Sequence, residues 1–124
     1  MADPQWTSVR HHKRYEVWRL AHQLVIDVYR LTDGLPAAER YGLATQMNRA
    51  AVSISSNVAE GPGRGSDADF CRFLLMANGS ANELESQLLI TRELRLADGE
   101  AAARLLGQVD QVRRHLIKLI KAAS

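Results

Sequence analysis

The sequence predicts an all-α protein that folds as an antiparallel up-down-up-down four-helix bundle. Four segments place apolar residues at steps of three and four, which is the spacing of one face of a helix. No segment shows the convincing alternation of apolar and polar residues that marks a strand. The segments are roughly 18 to 30 residues long and are joined by short turns, and helices of this kind pack most simply as a bundle.

The first helix is predicted from about Tyr15 to Thr32. Asp33-Gly34 ends it. Residues 1–12 carry no core pattern, so we expect a flexible arm there, followed by a single domain of residues 13–124. The predicted apolar stripe of this helix consists of Trp18, Ala21, Leu24 or Val25, Val28 and Leu31.

The second helix is predicted to open at Leu35-Pro36, because proline suits the first turn of a helix, and to run to about Glu60. The third is predicted from Asp67 to Leu96. Asp98 is expected to cap the fourth helix. The predicted stripes are Leu43, Met47, Ala51, Ile54 and Val58 in the second helix, Phe70, Leu74, Ala77, Ala81, Leu84, Leu88 and Thr91 in the third, and Leu105, Val109, Val112, Leu116 and Leu119 in the fourth.

The stretch SISSNVAEGPGRGS, residues 53–66, has the glycines and the arginine of a phosphate-binding loop. A nucleotide-binding glycine-rich loop, however, follows a strand, and here a helix precedes it. We therefore predict a turn, in which Gly61 ends the second helix, Pro62 stops its continuation and Ser66 caps the third helix. Contact of an anion with the start of the third helix, aided by Arg64, stays open, although Asp67 and Asp69 in that turn oppose it.

The composition excludes several classes of protein. Apolar residues make up 46% of the 124 residues and charged residues 24%, which argues against disorder. No run approaches the roughly 20 apolar residues of a membrane span, so no membrane partner is expected. Cys71 is the only cysteine, which excludes a disulfide within one chain and fits a reducing cytoplasm. We therefore predict a cytoplasmic protein.

The charge is small in total but unevenly placed. The net charge is +2, yet residues 10–19 carry +3, residues 104–121 carry +4 and residues 82–100 carry −3. Such asymmetry is found on polyanion-binding faces and also on ordinary solvated helix faces. The candidate nucleic-acid-binding residues are Arg10, Lys13, Arg14, Arg49, Arg64, Arg113, Arg114, Lys118 and Lys121.

Polar residues lie beside the apolar stripes of the second and third helices. Because they recur at steps of three and four, they share one face of each helix. We expect them to face water or to form a partly buried hydrogen-bonded network, with Asn57 and Glu83 as its leading members. The predicted members of this polar network are Gln46, Ser53, Asn57, Glu60, Glu83 and Gln87.

No constellation of catalytic or metal-binding residues is evident. Glu60 and Glu83 could act as an acid–base pair, but no nucleophile or metal ligand accompanies them. No two histidines have the helical spacing of a metal site. We therefore predict no catalytic residue, no metal, no cofactor and no enzymatic activity.

The middle of the chain resembles a known family. The strings LPAAERYGLATQMNRAAVSISSNVAEG and RGSDADFCRFLLMANGSANELESQL are similar to the bacterial four-helix-bundle family encoded in intervening sequences of 23S rRNA genes. The motifs that match include Y-G-L, S-I-x-x-N, A-E-G, R-x-S, F-x-x-F-L, G-S and E-x-x-x-Q-L. Asn48 departs from the pattern, because the family often carries an arginine there. The resemblance covers residues 35–90 strongly and the flanking helices by pattern.

The resemblance implies a cytoplasmic bundle that assembles as a ring, commonly a homopentamer. It also implies a link with nucleic acid, since relatives include the accessory protein of diversity-generating retroelements, which associates with a reverse transcriptase. The expected partners are therefore other copies of the chain, RNA or DNA, and a reverse transcriptase or a ribosomal component. The polar residues named above are as compatible with contacts between subunits as with contacts inside one bundle.

Two functional hypotheses follow. The first is a non-enzymatic oligomeric module that binds RNA, DNA or a ribonucleoprotein, mainly through phosphate contacts of its basic residues. The alternative is an adaptor ring that docks a partner protein and has no role with nucleic acid.

Overall fold

In the computed structural model, four long helices pack in a closed cycle. The structure describes residues 4–61 and 66–123, with side chains from His12 onward. The helices are α1 (Pro4–Asp33), α2 (Leu43–Glu60), α3 (Asp67–Glu93) and α4 (Gly99–Ala123). Each packs on the next, and α4 packs back on α1. This confirms the predicted all-α four-helix bundle.

One hydrophobic core runs along the axis of the bundle. Every apolar residue predicted to be buried in α3 and α4 is buried, from Phe70 to Leu88 and from Leu105 to Leu119. Thr91 is also buried, and its hydroxyl donates a hydrogen bond to the Gln87 carbonyl at 2.8 Å. None of the described helices is both long enough and apolar enough to span a membrane.

The register of the core differs from the prediction near the start of α1. Val17 is fully buried, whereas Trp18, which we predicted to be in the core, is 38% exposed. Adjacent residues on a helix point about 100° apart, so Val17 continues the buried series of Ala21, Leu24 and Val28 while Trp18 lies on the flank of the helix. The bulky indole is thus left at the surface beside α2.

Helix α1 also begins earlier than predicted. It starts at Pro4 rather than near Tyr15, because no glycine or proline interrupts the chain between Pro4 and Gly34. Residues 4–12 are therefore helical, which corrects the predicted start of the first helix. The mobility of residues 1–12 stays a prediction, and residues 1–3 lie outside the described part of the chain.

The start of α2 is the second helix boundary that was predicted wrongly. Pro36 opens only a short 3-10 turn, Ala37–Glu39, and α2 begins at Leu43. The amides of Glu39 and Arg40 bond to the carbonyls three residues back, of Pro36 and Ala37, at 2.9 and 3.2 Å. An α-helix needs bonds four residues back, so the regular helix starts only beyond this turn.

The end of α3 comes three residues before the predicted Leu96, and it is stabilised by a motif that the sequence conceals. Arg95 has a φ of 55°. Its amide bonds to the Arg92 carbonyl at 3.1 Å and the Leu96 amide bonds to the Thr91 carbonyl at 3.0 Å. These two bonds define a Schellman motif, in which the left-handed position is usually a glycine. Because an arginine occupies it here, the sequence contains no obvious stop signal.

The connection between α2 and α3 confirms the predicted cap at Ser66. The Ser66 hydroxyl accepts a hydrogen bond from the Asp69 amide at 3.1 Å. Gly61, however, keeps a right-handed helical conformation, with φ −49° and ψ −46°. A Cβ atom at Gly61 would lie 3.2 Å from the Phe70 ring, so close packing requires the glycine. The remaining loop positions, Pro62 to Gly65, lie outside the described residues.

The contact between Gly61 and Phe70 gives a stability prediction. Gly61→Ala should lower the free energy of unfolding by about 1–2 kcal/mol, because the buried Phe70 ring has little room to move. Gly107→Ala is the matched control: a Cβ there meets nothing within 4 Å, and alanine is the better helix former by about 0.5–1 kcal/mol. Urea unfolding followed by circular dichroism measures both, and equal effects of the two substitutions would contradict the packing explanation.

Candidate functional site

The candidate basic residues at the two chain ends meet at one end of the bundle. Helix α4 is antiparallel to α1, and Gln108 of α4 donates a hydrogen bond to Asp27 of α1 at 3.1 Å. This pairing brings the last turns of α4 beside the first described turns of α1. We call this region the basic end, and we define it by Lys13, Arg14, Lys118 and Lys121.

An acidic residue, Glu16, also lies at the basic end and is paired with a neighbouring arginine. Arg19 lies 3.1 Å from Glu16 in an ion pair. The hydrogen bond from Arg19 lowers the pKa of Glu16, with smaller contributions from the charges of His12 and His115. Glu16 therefore remains ionised at neutral pH and partly offsets the positive charge around it.

Arg14 lines a surface pocket between α1 and α2. The pocket has a volume of about 280 Å³ and is lined by Arg14, Tyr15, Trp18, Val58 and Ala59. Arg14 is half-buried, whereas Lys118 and Lys121 are exposed on α4. The basic end therefore combines an arginine at the edge of a pocket with exposed lysines on α4.

Arg113, a leading candidate for phosphate contact, has its guanidinium engaged in ion pairs within the bundle. It donates to Asn82 at 2.9 Å and to Glu85 at 2.5 Å on α3, and to Asp110 at 3.3 Å on its own helix. The hydrogen bond with Glu85 raises the Arg113 pKa. The charge of Arg113 is therefore largely compensated, and its evident role is to tie α4 to α3.

Arg114 is paired as well, but at the surface. It donates to Asp110 at 2.5 Å, and this bond is the main cause that lowers the pKa of Asp110. Its side chain is far more exposed than that of Arg113. A surface pair of this type exchanges readily with solvent and contributes little to stability.

The other basic candidates lie elsewhere or outside the described part of the chain. Arg49 is exposed on α2 and lines a separate pocket of about 480 Å³ with Tyr29 and Val52 among its neighbours. This position lies towards the start of α2, away from the basic end. Arg64 and the side chain of Arg10 are outside the described residues.

The polar residues between α2 and α3 include a direct contact of two serines. The hydroxyls of Ser53 and Ser80 lie 2.8 Å apart. Asn57 donates to the Ser53 carbonyl at 2.9 Å and to the Ser53 hydroxyl at 3.2 Å. This group of three residues holds α2 and α3 close together, because only short side chains permit such a contact.

A second polar group lies further along α3. Gln87 donates to Glu83 at 3.2 Å, and the Thr91 hydroxyl, which donates its proton to the Gln87 carbonyl, lies 3.4 Å from the Met47 sulfur. Gln87 is only 7% exposed, yet its side-chain oxygen has no hydrogen-bond partner. Such a buried acceptor costs about 1–3 kcal/mol unless a donor reaches it.

The structure thus places the six predicted network residues in three situations. Ser53 and Asn57 share one group, Glu83 and Gln87 share another, and Gln46 and Glu60 are exposed on α2. Asn57 and Glu83 are not bonded to each other among the described contacts, and Glu60 is not brought to Glu83. Within the described residues, no group of three or more His, Cys, Asp or Glu side chains could hold a metal ion.

Sequence reasoning missed an aromatic row on α1. Tyr15 and Trp18 stack with ring centroids 6.2 Å apart, and Trp18 and His22 stack at 5.2 Å. Tyr29 continues the row and is exposed. The steps of three, four and seven residues are visible in the sequence, but a prediction that assigns Trp18 to the core does not reveal the row.

The departure from the family pattern at Asn48 has a structural role. The Thr32 hydroxyl donates to the Asn48 side-chain oxygen at 2.8 Å. Thr32 is buried and Asn48 half-buried, so this bond links α1 to α2 inside the bundle. Asn48 therefore lies between α1 and α2 and is not part of the basic end.

These features define the class: a bundle of four helices with a basic end and polar contacts between α2 and α3. The family model described as "23S rRNA-intervening sequence protein" matches residues 13–118, so the chain belongs to this family. No curated protein matched the chain.

Among solved structures, the chain is similar to a protein of unknown function from the S23 ribosomal protein family of Bacteroides thetaiotaomicron. The TM-score is 0.82 and the identity 24%, over 88% of this chain and 98% of that chain. At this identity the similarity supports a shared fold only, so the function of this chain has to be inferred from the residues on its own surface.

Because Arg113 is paired within the bundle, we expect its replacement to lower the stability of the protein rather than to weaken binding. Arg113→Met should lower the free energy of unfolding by about 1–2 kcal/mol, because Glu85 loses its partner and a link between helices is lost. Arg114→Met is the control and should change it by less than about 0.5 kcal/mol. Both are measured by urea unfolding, and an Arg113 variant as stable as the Arg114 variant would refute the assigned role.

Proposed function

We propose that this chain is a non-enzymatic, oligomeric four-helix-bundle protein of the cytoplasm that binds nucleic acid through its basic end. RNA or a ribonucleoprotein is the favoured partner. The observation that carries the proposal is the convergence of Lys13 and Arg14 on α1 with Lys118 and Lys121 on α4. These residues are distant in sequence and meet only because α1 and α4 are antiparallel neighbours.

The chemistry of this end suits phosphates better than bases. Lysine and arginine side chains neutralise phosphates and release counterions, which gives affinity without sequence preference. The charge per chain is modest, at +2. Several copies in one ring would present several such ends at once, and multivalent contact raises affinity without new interactions.

The resemblance stated above supports the choice of partner. The family description refers to intervening sequences of 23S rRNA, which is where such proteins are encoded, and this association with an RNA gene makes RNA the first partner to test. The resemblance to ring-forming relatives supports an assembly of several copies, with five as the expected number. A reverse transcriptase or a ribosomal component is the protein partner that the same resemblance suggests. The single cysteine supports a cytoplasmic setting.

The adaptor hypothesis has one specific observation in its favour. Arg113 and Arg114 are two of the five basic residues between residues 104 and 121, and both are paired with acids of the same chain. A ring whose charges serve mainly stability and solubility would then dock a partner protein. Purification from the host after nuclease treatment separates the two, because an adaptor retains its protein partner when nucleic acid is removed.

Binding of RNA and duplex DNA across a salt series tests the proposal. The wild-type chain should bind at about 50 mM salt, and affinity should fall as salt rises. The triple variant Lys13→Gln, Lys118→Gln, Lys121→Gln should bind more weakly, with a salt slope shallower by about one unit for each lysine that contacts a phosphate.

A variant with the same loss of charge at the opposite end provides the control. Arg40, Arg92 and Arg104 are exposed, and the triple change of these residues to glutamine should leave most of the salt slope intact. No binding at low salt, or an affinity that does not respond to salt, would exclude the nucleic-acid proposal. Equal losses in the two triple variants would exclude the basic end as its site.

A further inference from the structure

We propose that His12 and His115 make the binding of RNA at the basic end depend on pH, so that affinity rises as the solution is acidified. This rests on the function proposed above and adds its regulation. Histidine is the side chain that ordinarily changes charge between about pH 5 and pH 8. We therefore compare about pH 8, the alkaline limit, with about pH 5.5, the acidic limit.

The antiparallel pairing of α1 with α4 places His115 near the basic end. The hydrogen bond from Gln108 to Asp27 fixes which residues of the two helices lie opposite each other. Each step from Asp27 towards the start of α1 then corresponds to one step along α4, because both helices rise equally per residue. His115 therefore lies level with Leu20, about one helical turn from Glu16.

His12 approaches the same acid from α1 itself. It precedes Glu16 by four residues, the spacing at which side chains on one helix are neighbours. The pKa of Glu16 is lowered mainly by the hydrogen bond from Arg19, and the charges of His12 and His115 add to this effect. One carboxylate thus lies within the field of two imidazoles that come from different helices.

The imidazole of His115 has a defined nitrogen for the second proton. Its Nδ1 lies 2.9 Å from the Gln111 carbonyl, and because a carbonyl oxygen only accepts, this nitrogen carries a proton. Nε2 is then the nitrogen that takes up a proton in acid. His115 is half-buried and His12 is exposed, so neither ring is sealed from a ligand in solvent.

The charged groups that face the two histidines are mostly cationic. Along the groove between α1 and α4 they are Lys13, Glu16 and Arg19 on α1 and Arg114, Lys118 and Lys121 on α4. Helices α2 and α3 pack on the other sides of this pair, and the acids at the same end of the bundle are Glu60, Asp67 and Asp69. Within the groove Glu16 is the single acid of the described residues and is paired with Arg19. Protonation of either histidine therefore adds charge to a region that is already positive.

Protonation and RNA binding are linked through the phosphates. A phosphate beside an imidazole favours its charged form, so the complex holds more protons than the free chain, and acid shifts the equilibrium towards the complex. An opposite charge shifts a titration by about one unit or more, and one unit is tenfold in an equilibrium. Because the pKa of Glu16 is lowered, this carboxylate stays ionised across the range, and the histidines supply the change in charge.

RNA binding at about 50 mM salt, measured at both limits of pH, tests the inference. The wild-type chain should bind about tenfold more tightly at the acidic limit for each histidine that contacts a phosphate. Its salt slope should also be steeper there, by about one unit for each such contact. His12→Gln with His115→Gln removes both titrating charges and should bind at either limit as the wild type does at the alkaline limit.

Two further variants make the assignment specific. His12→Lys with His115→Lys keeps the positive charges at every pH in the range, and the flexible lysine stem lets the ammonium reach water. This variant should bind at the alkaline limit about as tightly as the wild type binds at the acidic limit. His22→Gln is the control, because His22 stacks on Trp18 and lies ten residues from His12, and it should keep the wild-type pH dependence. Circular dichroism at both limits checks that each variant is folded.

The outcomes separate this inference from the function on which it rests. Binding that weakens with salt but is equal at the two limits overturns the inference and leaves the basic end as the binding site. A double glutamine variant as pH-dependent as the wild type, or a double lysine variant that binds weakly at the alkaline limit, also overturns the inference alone. No binding at either limit overturns the proposed function together with its regulation.

Discussion

The close approach of α2 and α3 is the constraint on which the rest of the structure depends. Their serine hydroxyls touch at 2.8 Å across the seam between the helices, and Gly61 admits the Phe70 ring at the end of the same seam. Alanines on both helices, Ala51 and Ala77 among them, are fully buried. With so little space between these helices, larger polar side chains such as Gln46 and Glu60 lie at the surface of α2.

The surfaces follow from this packing. Short residues on α2 also leave a shallow groove towards α1, and the aromatic row fills only one side of it. At the far side of the bundle, Arg113 compensates for the charge of Glu85 and fixes α4 against α3, which leaves the basic end to supply the charge for a polyanion. The chain thus separates its surface features, with an aromatic row on α1 beside α2 and basic residues where α1 and α4 meet.

Most of the fold could be predicted from sequence, because buried stripes are periodic. The stripes of α3 and α4 were predicted without error. Local hydrogen bonding that leaves no sequence signal explains the misplaced boundaries: an arginine occupies the left-handed position at the end of α3, and a 3-10 turn follows Pro36. Of the candidate site, residue positions on each helix were predictable, but the partners of Arg113 and the exposure of Trp18 depend on how helices are rotated against one another.

The central claim is that the pairing of α1 with α4 gathers basic residues at one end of the bundle for contact with phosphates. All three lysines of the chain, Lys13, Lys118 and Lys121, lie at this end, so acetylation of their amines, followed by mass spectrometry, tests the claim directly. The account predicts that bound RNA at about 50 mM salt slows acetylation of these lysines. Unchanged acetylation of all three with RNA bound would contradict it.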